Sequence, residues 1–456
     1  MPTRVLVPAG VLGLGFQQAA LDHGVAARPD IICIDGGSTD SGPFSLGSGT
    51  SKYSRGSCKA EWRALMQARA AAGVPLVIGS AGTCGTDETV DWLFDITREI
   101  AAELGQRLRV ARLYSSQPAS RVAAALAAGR VHPLTPAPDL DQGSLDSMTN
   151  IVALAGVEQM QAALATGADI VIAGRMTDTA TVAALPLMRG EHPGGAWHGA
   201  KIAECGAQCS SNPTSGVVMV EFDRSGFTVE PMAKGATCTP YSVSAHMLYE
   251  NSDPFRLYEP GGYLDVSEAR YSALDSRKVR VEGARWVPGK YTVKLEGARL
   301  AGHQTTILAI LREERYVRHA REWTEKLHAF LTEQIAARMG LGAADYTLEF
   351  RLIGVDGALG AAEHRQGDPV EVGVLGLITA ASAETADEIG RLINPFVLHY
   401  PLTEDEALPT FAFPYSPAQS SRGAFYEFAL NHVMELDDPM EAFRLEVTEI
   451  GNAKTG

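Results

Sequence analysis

The first part of the chain alternates short, fully apolar runs with segments whose apolar residues recur at helical spacing. The apolar runs lie at 5–8, 31–34, 75–78, 110–113 and 170–173, and the helical segments at 17–23, 88–104, 118–128 and 179–187. Strands that are apolar on both faces and alternate with helices are typical of a parallel sheet covered on both sides. The pattern therefore predicts an α/β fold that begins with a doubly wound, mostly parallel sheet, a Rossmann-like domain of residues 1–200.

The hydrophobic pattern changes after residue 200. Strand-like runs at 216–222 and 227–229 flank the turn-forming residues 223–226, and further runs lie at 278–281 and 291–295. Two such runs around a short Asp- and Gly-containing turn are typical of a hairpin. Residues 201–300 are therefore predicted to be a β-rich insertion or second domain.

From about residue 303 the order of elements changes again. Strands are predicted at 305–312, 346–353, 370–378 and 443–450, and helices at 314–339 and 384–392. This β-α-β-β-α-β order is that of a ferredoxin-like unit. Residues 301–456 are predicted to form a C-terminal ferredoxin-like α+β region, and sheet surfaces of this kind favour a homo-oligomer.

Composition narrows the partners and the compartment. Lys and Arg number 39 against 54 Asp and Glu, a net charge of −15, which disfavours binding to nucleic acid or to a membrane surface. The six cysteines include no CxxC pair, which suits free thiols in a reducing compartment. The chain starts without a signal-peptide pattern and has no apolar run of about 18 residues. A cytoplasmic location is expected.

The loop after the second apolar run is the densest polar segment. It offers carboxylates, hydroxyls and glycines for catalysis and binding, and its candidate residues are Asp35, Ser38, Thr39, Asp40, Ser41 and Gly42. An open α/β sheet binds its ligands at the carboxyl ends of the strands, where this loop lies. The alternative is a turn whose side chains bond only their own backbone.

Two further loops follow apolar strands. In the segment 79–87, Ser80, Gly82 and Thr83 precede a helix and could hold an anion at its N-terminus. A helix capped by Thr86 or Asp87 is the alternative, and both can be true together. No Walker motif is present there. The Gly10–Gly15 segment reverses the dinucleotide pattern, so nicotinamide binding is not favoured.

The loop 174–179 places Arg175 and Asp178 together. Arg175 could clamp a carboxylate, and Asp178 could act as a base or cap the next helix. A plain Arg175–Asp178 pair that orders the loop is the alternative. If the three strands are neighbours, the loops 35–42, 79–86 and 174–178 should converge on one cleft.

Two later segments add candidates. Glu204 lies beside Cys205, which is better interpreted as structural than as a nucleophile. In 239–250, the candidates are Ser242, Ser244 and His246, and a helix starting at Pro240 would place His246 and Glu250 one turn apart. That geometry permits a histidine base oriented by a carboxylate, and a structural His–Glu pair is the alternative.

Taken together, several segments resemble the acyclic terpene utilisation (AtuA-type) family in order and spacing. They are DGGSTDSGP (35–43), GSAGTCG (79–85), VIAGRMTDTA (171–180), KIAECG (201–206), CTPYSVSAHMLYE (238–250), EPGGYLD (259–265) and YTVKLEGA (291–298), over about residues 3–310. RGAFYEFALNHVMELDDPMEAFR (422–444) resembles the tail of the shorter members, which lack a long C-terminal extension. The resemblance implies acyl-CoA or carboxylic acid catabolism and allows a small companion subunit, but it assigns no catalytic role to individual residues.

The loop residues favour an enzyme that acts on a small anionic substrate. A hydro-lyase of hydratase type would use Asp35, Asp40 or Asp178 as base, His246 as a second acid or base and Arg175 as anion clamp. A thioester or lactone hydrolase uses similar groups and is the runner-up, and a subunit inactive without its companion is a third hypothesis. No cofactor is evident, although the carboxylate-rich loops allow a divalent cation.

Overall fold

The computed structural model describes residues 2–365 and 367–451, and within them the chain forms two compact units. The first extends to Arg299 and resumes at Phe428, and the second is Leu300–Glu427. The division into three regions at residues 200 and 300 stays a prediction. None of the helices in the described ranges is long and apolar enough to cross a membrane.

The strands are β1 Thr3–Val7, β2 Ile31–Ile34, β3 Leu76–Ile78, β4 Leu108–Tyr114, β5 Val131–Pro133, β6 Met148–Ala153, β7 Ile170–Ala173, β8 Val218–Phe222, β9 Gly226–Pro231, β10 Arg256–Glu259, β11 Gly262–Asp265, β12 Arg270–Ala273, β13 Val279–Glu282, β14 Arg285–Pro288, β15 Thr292–Leu311, β16 Tyr346–Ile353, β17 Val372–Ala380, β18 Gln419–Glu435 and β19 Arg444–Ile450.

The helices are α1 Gln18–Ala26, α2 Phe44–Ser48, α3 Arg55–Ala72, α4 Asp87–Leu104, α5 Ala119–Ala127, α6 Gln142–Asp146, α7 Val157–Ala165, α8 Asp178–Met188, α9 Pro193–Ala203, α10 Pro240–His246, α11 Glu314–Arg318, α12 Ala320–Met339 and α13 Ala383–His399. Short 3₁₀ helices lie at Gly206–Cys209, Pro213–Ser215 and Gly360–Ala362.

A ten-stranded sheet organises the first unit, in the order β12-β13-β9-β8-β1-β2-β3-β7-β4-β19. The neighbours in the run β1-β2-β3-β7-β4 are parallel, with Cys33 beside Val77 and Val77 beside Val171. Antiparallel strands extend both sides of this run, and β8, β9, β12 and β13 come from residues 201–300. The mixed α/β sheet with a parallel centre is the fold class predicted from the sequence.

Both faces of this sheet are buried, as its fully apolar strands require. Successive residues of a strand point to opposite faces, so Val5 and Cys33 join a core with α7, α8 and α9, whereas Leu6 and Ile34 join a core with α1, α3 and α4. A separate three-stranded sheet, β10-β11-β14, also belongs to the first unit.

The second unit has the predicted β-α-β-β-α-β order, with the strands arranged β16-β17-β15-β18. Trp323, Leu327, Leu331 and Ile335 of α12 are fully buried in its core. The prediction that 443–450 supplies the closing strand is wrong. β19 instead pairs with β4 of the first unit, with Leu445 beside Leu113, and β18 is the fourth strand. Alternation of polar and apolar residues reveals a strand but not its partner.

Candidate functional site

Three loops lie together at the carboxyl edge of the parallel strands, because β2, β3 and β7 are neighbours in the sheet. The Ser80 amide donates to the Gly174 carbonyl at 2.9 Å, and Arg175 Nη1 donates to Ser80 Oγ at 3.1 Å. A Cβ at Gly36 would lie 2.2 Å from the Gly79 carbonyl oxygen, so only glycine permits this approach. The structure thus brings the loops 35–42, 79–86 and 174–178 to one place.

Two cavities that share lining residues open at this edge. The larger has a volume of 740 Å³ and is bordered by the Gly10–Gly15 segment, Tyr53 and the loop after β2. The smaller, of 280 Å³, is bordered by α8, α9 and β10. Ser38, Asp40, Asp178 and Glu250 line both, so one ligand could reach from one cavity into the other.

The predicted site residues divide into those that line a cavity and those that do not. Lining residues are Asp35, Ser38, Asp40, Ser41, Thr83, Arg175, Asp178 and Glu204. Gly42, Gly82, Ser80, Thr39, Ser242, Ser244 and His246 are not among the lining residues.

Several non-lining residues have structural partners instead. The Thr39 hydroxyl is buried and donates to Glu296 at 3.1 Å. Ser242 forms a capping box with Thr239 at the start of α10 and donates to the Cys209 carbonyl at 2.7 Å. Ser244 donates to the Tyr241 carbonyl at 3.1 Å. These hydroxyls stabilise local structure.

Arg175 is held by a carboxylate that the sequence did not identify. Its Nε and Nη2 atoms donate to Glu296 of β15 at 3.0 and 3.4 Å, whereas the predicted partner, Asp178, lies 3.8 Å from Nη1. Both Arg175 and Glu296 are buried. Burial would raise the pKa of Glu296, but the charges and hydrogen bonds of Arg175 and Lys294 lower it to about 2. A protein carboxylate therefore takes the position that a substrate carboxylate was expected to occupy.

Lys201 of α9, which was not a predicted site residue, is a buried cation in the smaller cavity. Its side chain is only 5% exposed, lines the smaller cavity and donates to Glu204 at 2.5 Å. Burial would lower the pKa of Lys201, but Glu204 raises it, so the ammonium is retained. A lysine three residues before a glutamate on an apolar helix was the available signal.

Four carboxyl groups around these cavities have raised pKa values. Burial is the largest cause for each. It raises the pKa of Glu259 to about 7 and the pKa of Glu204 to about 8. It also raises the pKa of Asp178 to about 6, although the charges of Arg175 and Lys201 oppose this increase. Burial and the neighbouring Asp178 hold the pKa of Asp35 well above its usual range. Carboxyl groups that exchange protons near neutral pH suit acid–base chemistry.

The predicted His246–Glu250 pair on one helix face is wrong. The helix α10 ends at His246, and Glu250 has a φ of 52°, outside helical geometry. The His246 ring stacks on Tyr249 with 5.4 Å between ring centroids, and burial and Lys201 lower its pKa to about 4. His246 is thus a neutral imidazole packed behind the cavity wall at neutral pH.

The glycine-containing segment after β1 already binds a carboxylate of the protein. The Gly13 amide donates to Glu61 Oε2 at 2.7 Å. A phosphate would need such an amide. The expectation that no dinucleotide binds here stays a prediction.

Cys205 lines the larger cavity, but its thiol is not activated. Burial, Glu204 and Asp35 all raise its pKa, so the thiolate is scarce at neutral pH. We expect Cys205→Ser to retain most activity, and Cys33→Ser, whose residue is fully buried in the sheet, to behave alike. Turnover and circular dichroism of both variants check this. A loss of more than about a hundredfold with unchanged dichroism would mean that Cys205 takes part in the chemistry.

The raised carboxyl pKa values predict how stability depends on pH. Glutamate in an unfolded chain ionises near about 4.3, so the folded protein retains protons on Glu259 and Glu204 that the unfolded chain has lost. Their stabilising effect is complete below that pH and disappears as the pH passes about 7 and then about 8.

His198 and His246 act in the opposite direction, because burial lowers their pKa values to about 3 and about 4. The effect of these two histidines on the free energy of unfolding ends at about pH 6.5, where unfolded histidine loses its proton. Between about pH 6.5 and 8 the free energy of unfolding should therefore fall, by at most about 1.4 kcal/mol per pH unit for each group. Urea unfolding at several pH values tests this, and a flat or rising dependence would contradict it.

No group of three or more His, Cys, Asp or Glu side chains within residues 2–365 and 367–451 is arranged to hold a metal ion. The carboxyl groups that line the two cavities come from separate elements, which are the loop after β2, α8, the end of α9 and β10. The divalent cation that the loops allowed stays a prediction.

Fold and site together define an α/β protein with a carboxyl-rich pair of cavities at the edge of its parallel strands. Residues 50–404 match the family described as acyclic terpene utilisation family protein AtuA, and the chain belongs to this family. The family is named for a catabolic role, and the match reaches beyond the 3–310 resemblance into the second unit. Neither curated proteins nor solved structures gave a match. The homo-oligomer, the companion subunit and the cytoplasmic location stay predictions.

Proposed function

We propose that this protein is a hydro-lyase of hydratase type, which adds water to, or removes it from, a small carboxylic acid or its thioester. The observation that carries the proposal is the smaller cavity, where Lys201 lies among Asp178, Glu204 and Glu259. An ammonium beside carboxyl groups of near-neutral pKa combines anion stabilisation with proton transfer.

The roles follow from position and charge. Asp178 begins α8, lines both cavities and has a side chain 29% exposed, so water bound in the cavity can reach it as a base. Lys201 stabilises the negative charge that develops on the substrate oxygen when hydroxide adds to the β-carbon. Arg175, neutralised by Glu296, orders the wall of the cavity.

The charge of the site favours a thioester over a free acid at the reacting end. Asp40, Asp178 and Glu250 line both cavities, whereas Asp35 and Glu204 keep their protons to higher pH because burial raises their pKa values. An ionised substrate carboxylate would lie among these groups and be repelled, whereas a neutral thioester carbonyl would not.

The test uses crotonyl-CoA and crotonate as probes in ¹⁸O-labelled water. Hydration removes the absorbance of the conjugated enoyl group of the probe and places ¹⁸O in a β-hydroxyl group. Release of free thiol with ¹⁸O in the carboxylate would instead identify the thioester hydrolase. Absence of both products from these probes, with protein shown to be folded, would contradict the proposal.

A further inference from the structure

One carboxyl group of the smaller cavity comes from outside the loops of the parallel sheet. Glu259 ends β10 in the three-stranded sheet β10-β11-β14 and lines the cavity together with Lys201 and Asp178. Glu259 therefore lies in a different wall of the cavity from Asp178, the proposed base, which begins α8, and from Lys201, which lies in α9.

The two oxygens of Glu259 have different surroundings. Oε1 accepts a hydrogen bond from the Thr179 hydroxyl. Oε2 is buried and has no hydrogen-bond partner among the residues that the structure describes. The residue as a whole is 9% exposed. A buried oxygen without a partner is uncommon and costly, so a ligand or a function is expected to compensate for it.

Comparison with Glu296 shows what a purely structural carboxylate looks like here. Glu296 accepts hydrogen bonds from Arg175 and Lys294, and its pKa is about 2, so it stays ionised. Among the described residues, Glu259 has no such cation within hydrogen-bond distance; burial raises its pKa to about 7, and the hydroxyl groups of Thr179 and Thr177 offset only part of this increase. Since Oε1 accepts from Thr179, a proton on this carboxyl group resides on Oε2, the atom without a partner.

We propose that Glu259 is a second catalytic carboxyl group, which exchanges a proton with the substrate α-carbon while Thr179 holds its Oε1 atom; this role rests on the proposed hydratase function. In the hydration direction, Asp178 takes a proton from water and the hydroxide oxygen bonds to the β-carbon. The electron pair of the double bond moves toward the α-carbon and the thioester oxygen. Glu259 then donates its proton to the α-carbon, and the proton on Asp178 returns through solvent to regenerate Glu259.

The primary test compares Glu259→Gln with the wild type on crotonyl-CoA. The variant keeps the shape of the side chain but holds no transferable proton, so kcat should fall at least about a hundredfold while KM changes less than about threefold. Glu158→Gln is the matched control, because Glu158 is close by and accepts from Tyr291 at 2.8 Å without lining either cavity. It should retain wild-type turnover.

A second variant gives a measurement, the pH profile of kcat, that would not change if Glu259 had only a structural role. The protonated form of Glu259 is the active one, so kcat should decline as pH rises through its pKa of about 7. The Thr179 hydrogen bond lowers that pKa, so Thr179→Val should shift the alkaline limb of the pH profile to higher pH. This variant also serves if Glu259→Gln does not fold.

The outcomes are separable. Hydration by the wild type with Glu259→Gln within threefold of it overturns the role of Glu259 and leaves the proposed function standing. An alkaline limb unmoved in Thr179→Val also overturns the role. Absence of hydration by the wild type overturns the proposed function and, with it, this assignment.

Discussion

Replacing Glu296 with alanine should lower the free energy of unfolding by about 3–5 kcal/mol, the cost of leaving one member of a buried ion pair without its partner. Glu296 is 5% exposed and Arg175 is equally buried, and the two share hydrogen bonds of 3.0 and 3.4 Å. After the substitution, the guanidinium would keep no carboxylate as close as Glu296 among the described residues, since Asp178 lies 3.8 Å away. Urea unfolding followed by circular dichroism gives the difference.

Two further variants show whether the unpaired charge causes the loss. Glu99→Ala removes a pair with Arg55 and Lys59 in which Glu99 is 44% exposed, and its effect should be much smaller because water solvates both charges. Arg175→Met combined with Glu296→Leu removes both buried charges and should recover part of the stability. If Glu296→Ala costs less than about 1 kcal/mol, water must reach Arg175.

Replacing Glu296 should also disturb the candidate site, because Glu296 holds the loop after β2 in place. The Thr39 hydroxyl donates to Glu296 at 3.1 Å, and Asp40 next to it lines both cavities. The pair thus supports the cavity wall from behind. The Arg175–Glu296 pair explains why a polar loop is fixed where it leaves the sheet.

The sequence was sufficient to locate the edge of the sheet where the cavities open. Apolar strands followed by polar loops define the carboxyl ends, and the rule for open α/β sheets makes those ends the binding edge. It could not establish that β3 lies beside β7, because the two strands are separated in sequence by β4, β5 and β6. Only the assembled sheet shows that Ser80 and Arg175 meet.

The missed residues come from elements whose position no local pattern reveals. Glu296 lies in a strand, where a polar residue normally indicates the solvent face, and Glu259 lies in a small sheet outside the parallel strands. His246 was misjudged for a related reason. Its spacing from Glu250 assumed that α10 continues, but the helix ends at His246 and the backbone turns to a positive φ at Glu250.

Asp178→Asn should reduce kcat on crotonyl-CoA by about 10²–10⁴-fold, the usual contribution of a general base, and change KM by less than about threefold. Asparagine matches the shape of aspartate but cannot accept the proton of the attacking water. Since Asp178 begins α8 and its carboxylate lies 3.8 Å from Arg175, some of the loss could reflect a displaced helix start. Circular dichroism and urea unfolding of the variant distinguish that effect from chemistry.

The pH dependence of kcat distinguishes the loss of a catalytic base from a displaced helix start. The base must be ionised, so wild-type kcat should rise with pH through the Asp178 pKa of about 6, and this acidic limb should disappear in the variant. Asp22→Asn is the control, because Asp22 is an exposed α1 residue that accepts from Gln18 at 2.8 Å and lines neither cavity. If Asp178→Asn retains turnover within threefold of the wild type, the base must be sought at Asp35 or Asp40, which line the same cavity.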